Sequence, residues 1–145
     1  MRSSVRWLIG WSADLGWSVF RGSLLLGLLF MRLKTEIWVK GYLRARSSEN
    51  VMAVLSRRGD EDAGAVFIIV DMMNGQCRLL GPAPAGLEIV DRQRRWEHCF
   101  TDESVDLDRA REYINRQLDM DPDIWVVEVE DRLGRDFLDD AVVRD

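Results

Sequence analysis

Residues 51–84 read VMAVLSRRGDEDAGAVFIIVDMMNGQCRLLGPAP, and the fold turns on this stretch. Ala65 to Val70 is continuously apolar and rich in β-branched residues, the composition of a central strand covered on both faces. Asn74-Gly75 follows closely. This pair suits a type I′ turn, whose two central residues both take positive φ, so Cys77–Leu80 should fold back against Ala65–Met72. Gly81-Pro82-Ala83-Pro84 then ends the returning strand, because proline brings no N–H to a ladder. Upstream, Val51–Ser56 reads as another strand. The glycines and acids from Arg57 to Gly64 mark the connection between the two.

Before this stretch, Glu36, Lys40 and Arg44 recur at helical spacing, as do Trp38/Tyr42 and Val39/Leu43, with Thr35 placed to cap. Lys40, Tyr42, Arg44 and Arg46 also alternate, so residues 36–46 admit a strand; the helix is favoured. After it, residues 85–95 read as a loop with a basic end at Arg92, Arg94 and Arg95, and Trp96–Phe100 as a short strand. Ser104 can cap a helix with Leu107, Ala110, Ile114 and Leu118 on one stripe and Asp106 and Asp108 in its first turn; Pro122 stops it. Ile124–Glu130 alternates as a strand, with Trp125, Val127 and Val129 on one face and Glu128 and Glu130 on the other. Asp131–Arg135 turns toward a last short strand at Asp136–Leu138. Together these predict an α+β domain: a mostly antiparallel sheet of about five strands with two helices packed on one face. Trp38, Trp96 and Trp125 are expected in its core.

The chain has 145 residues, enough for one hydrophobic core, and carries a net charge of −5. An acidic chain repels a phosphate backbone, so nucleic acid is not an expected partner. Residues 1–30 differ from the rest: they hold Trp7, Trp11 and Trp17, three arginines and the single acid Asp14. Their uncharged run, Gly22 to Met31, is ten residues long, against the roughly 20 that span a bilayer. Met31 is read as the native start, with residues 1–30 as an apolar extension upstream of it. A membrane-associating segment is the alternative, and a cleaved signal is a weaker one, for no small-residue cleavage site follows. The single domain is then 31–138, and 139–145 is an acidic tail.

The runs MRLKTEIWVKGYLRAR, RRGDEDAGAVFIIV, RLLGPAP and DPDIWVVEVEDRLGRDFL resemble a family of short alphaproteobacterial proteins known as domain of unknown function 1491. The resemblance covers roughly 31–138. It implies a bacterial, intracellular setting and transfers no activity, cofactor, partner or site residue.

The chemistry therefore rests on the residues. His98 is the only histidine, between Glu97 and Cys99. Neighbours on a strand point to opposite faces, so His98 and Cys99 form no nucleophilic pair there; Cys77 with His98 requires adjacent strands. Two cysteines without a C-x-x-C spacing make neither a disulfide framework nor a zinc site, and a reducing, cytoplasmic compartment fits them best. An EF-hand register begun at Asp60 fails, with Gly64 at its fifth position and Asp71 at its twelfth. Carboxylates pair at Glu128/Glu130 and Asp139/Asp140, and Glu128 and Glu130, on one strand face, read as solvent-exposed. No cofactor or metal is expected.

Arg57, Arg58, Asp60 and Asp62 are the candidate binding residues: two guanidinium forks beside a glycine corner. An internal salt bridge from the arginines to Asp60 or Asp62 competes with a surface that grips an acidic or phosphorylated partner. Two functions survive. A non-enzymatic interaction or regulatory module, with a protein partner or a second copy, is favoured over a small enzyme of unrecognised type. A membrane-associated accessory protein depends on residues 1–30 being retained.

Overall fold

The computed structural model describes residues 33–84 and 94–143. The extension 1–30, Met31, Arg92 and the end of the acidic tail lie outside the described residues. In order along the chain come α1 (Thr35–Ser48), β1 (Ala53–Arg57), β2 (Val66–Asp71), β3 (Gln76–Pro82), β4 (Trp96–His98), β5 (Val105–Asp106), α2 (Leu107–Met120) and β6 (Trp125–Glu130). The strands form one sheet in the order β1-β6-β2-β3-β4, with β5 also on β3. Four of the five strand pairings are antiparallel, and β2 with β6 is parallel, Val66 opposite Trp125 through Asp71 opposite Glu130. The α+β class and the mostly antiparallel sheet stand as predicted.

The helices do not share a face. Val66, Ile68, Val70, Leu80, Trp125, Val127 and Val129 pack with Val39 and Tyr42 of α1. Phe67, Ile69, Cys77, Leu79 and Val126 pack with Ala110 and Ile114 of α2. A strand whose successive side chains are all apolar needs a cover on each side, and the two helices supply one each. Trp96 and Trp125 are buried and Trp38 packs against the same cluster. Trp38 stacks on Tyr42 at 5.2 Å and meets Trp96 at 4.7 Å.

Several local expectations change. Residues 36–46 are helical, and Thr35 lies inside α1 rather than capping it. The first N–H groups of α1 donate instead to loop carbonyls: Thr35 N to Asp62 O at 3.3 Å and Glu36 N to Glu61 O at 3.0 Å. Ser104 does not cap α2, whose N-cap is Asp106, without a side-chain cap bond; Leu107 N donates to Gly75 O at 3.2 Å. The β2–β3 hairpin is present, but its loop has three residues. Met73 (φ 61°) and Gly75 (φ 85°) are left-handed and Asn74 is not, so the turn is not type I′. β3 runs on through Pro82, because β2 pairs only as far as Leu80 and proline's missing N–H interrupts nothing there. Asp136–Leu138 is no strand: Phe137 (φ 56°) and Asp139 (φ 53°) bend the chain, which returns to the sheet as a bridge of Val142 to Trp96.

Arg46 holds that bend. Its guanidinium lies between the Tyr42 and Phe137 rings, 4.9 and 4.5 Å from their centroids, and donates to Phe137 O at 3.1 Å. Tyr42, whose hydroxyl donates to Asp136 O at 2.6 Å, is pushed up to about 12, chiefly by burial.

Candidate functional site

The corner between β1 and β2 is built by close backbone packing. A Cβ on Gly59 would lie 2.0 Å from the Asp123 carbonyl oxygen, and one on Gly64 would lie 2.5 Å from it. Asp60 N donates to that same oxygen at 3.0 Å. Asp60 Oδ1 accepts from Asp62 N and Ala63 N at 3.1 and 2.8 Å, and Asp60 O accepts the Trp125 indole N–H at 2.7 Å. The side chain of Asp60 thus shapes the turn. The expected partners of the arginines are corrected: Arg58 pairs with Glu36 at 2.9 Å and Glu61 at 2.5 Å, Arg57 donates to Pro122 O, and Asp62 takes Lys34. With Thr35 Oγ1 donating to Gly64 O at 3.0 Å, the corner fastens the start of α1 to the sheet.

The lone histidine and the cysteines stay apart. His98 is exposed and sits opposite Leu80, on the α1 side of the sheet, whereas Cys77 packs under α2. Both cysteines are free thiols. Burial pushes each up to about 11, and at Cys99 a hydrogen bond with Tyr113 opposes that rise. Neither is an activated nucleophile. Beside His98 a cleft of about 480 Å³ is walled by Arg78, Glu97, Phe100, Asp102 and Glu103. Three of its charged side chains are paired: Arg78 holds Glu103 and Gly134 O, each at 3.0 Å, and Arg109 holds Asp102. Among the described residues no group of three or more His, Cys, Asp or Glu is arranged to hold a metal ion.

The sheet edge formed by β1 differs from these. Glu130 N donates to Met52 O, and the register continues with Ala53 opposite Val129, Val54 opposite Glu128 and Leu55 opposite Val127. In an antiparallel ladder the inward bonds alternate, so Met52 and Val54 bond to β6 while the N–H and C=O of Ala53 and Leu55 face the open side. Met52, Val54 and Leu55 are 60%, 48% and 39% exposed. A bulge between Leu55 and Arg57 ends the flat part of the strand. Composition pointed to the neighbouring arginines; the exposed edge was hidden, because only the strand order reveals that β6, not β2, lies beside β1.

These features define a small single-sheet α+β domain whose described residues hold no nucleophile–base pair or metal cluster and leave the apolar β1 edge of the sheet exposed. The chain belongs to the DUF1491 family: the profile described as "Protein of unknown function (DUF1491)" matches residues 33–139. A crystal structure of a DUF1491 family protein from Caulobacter crescentus is 36% identical, with a TM-score of 0.64, covering 79% of this chain and 100% of that one. An NMR structure of a DUF1491 family protein from the same organism gives 37% identity and 0.64 over 79% and 99%. A solution structure from A. tumefaciens gives 33% and 0.59 over 70% and 87%. No curated protein matches.

Proposed function

We propose that this protein is a non-enzymatic interaction module that adds an extended segment of a protein partner to the open edge of β1. One observation carries the reading: a strand edge that no other described residue pairs, whose side chains Met52, Val54 and Leu55 are apolar and exposed. Main-chain bonding to Ala53 and Leu55 supplies affinity, and the alternating side chains supply selectivity. The bulge and Arg57 limit the paired stretch to a few residues, which favours reversible docking over runaway sheet growth. Arg57 and Arg58, at the end of the strand, are the residues to meet acidic groups of the partner, while Asp60 and Asp62 hold the corner. Two free thiols fit a cytoplasmic setting; among the described residues no helix is long and apolar enough to cross a membrane.

Leu55→Pro tests this. The Leu55 N–H faces away from β6, so proline removes an outward donor without breaking the inner ladder. Partner capture from native extract should be lost with Leu55→Pro, weakened with Arg58→Ala and kept with Met73→Lys at the hairpin tip, all at nearly unchanged Tm. Capture by Leu55→Pro equal to that of the parent sinks the edge reading.

A further inference from the structure

We propose that the outward face of α1 docks on the headgroups of an anionic phospholipid surface. Leu33, Ile37, Lys40, Gly41, Arg44 and Ser48 fall on one stripe of α1 and the residue leading into it, and every one of them is exposed, Leu33 and Ile37 at 50% and 51%. The stripe holds no acid. Two apolar tips flanked by long cationic side chains are what an interfacial helix presents to a bilayer. Lys40 pairs with Glu36 and the adjacent Lys34 with Asp62, both at the surface, where such pairs are weak and leave the ammonium groups able to exchange partners. Arg44 has no ion pair among the described residues.

The charge of the chain is divided at the end of this helix. Within the domain, residues 33–48 hold four Lys or Arg and one Glu, a net +3; residues 49–145 hold 12 and 23, a net −11. A flat anionic surface therefore attracts the α1 segment and repels the remainder of the domain, which orients it with α1 toward the surface. A nucleic acid is a poorer occupant. Among the described residues Trp38 and Tyr42 stack inward with Trp96 and leave no aromatic platform for bases on this face, and an extended polyanion would reach the acidic remainder of the domain.

The test is vesicle flotation of the full 145-residue chain. Vesicles of phosphatidylcholine containing about one-third phosphatidylglycerol should carry the protein and pure phosphatidylcholine should carry much less; about 0.5 M salt should release it. Lys40→Gln with Arg44→Gln should weaken partitioning about thirtyfold, at about fivefold for each cation lost. Arg111→Gln with Arg116→Gln, which removes two exposed cations from α2, should leave it unchanged; near-UV circular dichroism checks that both variants keep their packing. Equal binding to neutral vesicles, equal loss in the two double variants, or full retention by the α1 variant (binding then resting on residues 1–32) each overturns the proposal. Tighter binding to a single-stranded oligonucleotide through the same two residues overturns it in favour of nucleic acid.

Discussion

Gly59 is the least replaceable residue of the corner. Its missing side chain lets the chain lie against the Asp123 carbonyl, where a methyl group would be 2.0 Å from the oxygen. The obstacle is backbone, which has no rotamer to move into, so Gly59→Ala should destabilise the domain by about 3 kcal/mol in urea unfolding. Asp131 is the second sensitive residue. It is buried, accepts from the Arg135 backbone at 2.8 Å and from its guanidinium at 2.6 Å, and Arg135 holds its carboxyl below the usual carboxylate range. A carboxyl depressed in the folded state stabilises above its unfolded pKa of about 3.9 and loses that contribution as pH falls through the lower folded value. Asp131→Asn should therefore be less stable than the parent by about 1–2 kcal/mol at pH 7, with the gap closing below about pH 4. The thiols give a third readout. With both raised to about 11 by burial, each carries roughly a hundredfold less thiolate at pH 7 than an ordinary cysteine. Labelling with a disulfide reagent should be slow in buffer and immediate in denaturant.

At the scale of elements, α2 is held by Ala110 and Ile114 against Phe67, Ile69, Leu79 and Val126. Ile114→Ala should cost about 3 kcal/mol through the cavity it leaves, measured by the same unfolding curves. That stripe was legible in the sequence, as were the strands, since periodicity records which side of an element meets the core. The helix starts were not. α1 is capped by carbonyls of Glu61 and Asp62 and α2 by that of Gly75, groups every residue possesses and no local motif announces. The layout of helices was half legible. An unbroken apolar run from Ala65 to Val70 already calls for a layer on each side, which conflicts with two helices on one face; the run was the better guide. The loop of the β2–β3 hairpin shows the limit of dipeptide rules: pairing Met72 with Gln76 leaves three residues to turn, and Met73 takes a left-handed conformation that a type I′ reading assigns to Asn74. At the candidate site, Arg57 and Arg58 stood out by composition, but their true neighbours, Glu36, Glu61 and the Pro122 carbonyl, come from three separate segments.

For the whole molecule, the strand order has a consequence in time. β6 lies between β1 and β2, two strands that are close in sequence and yet do not touch each other in the sheet. A ribosome releases β1, β2 and β3 first, and the β2–β3 hairpin can close at once from local contacts. The seat of β6 stays empty until residue 130 has emerged, with the apolar flank of β2 open to water or to another chain. The last long strand to be synthesised is thus the keystone, and no N-terminal fragment ending before it holds a complete core. A chain cut after Met120 should show hairpin-like secondary structure and no cooperative melting. Birth, for this domain, is a race between the arrival of one strand and the capture of the gap it is meant to fill.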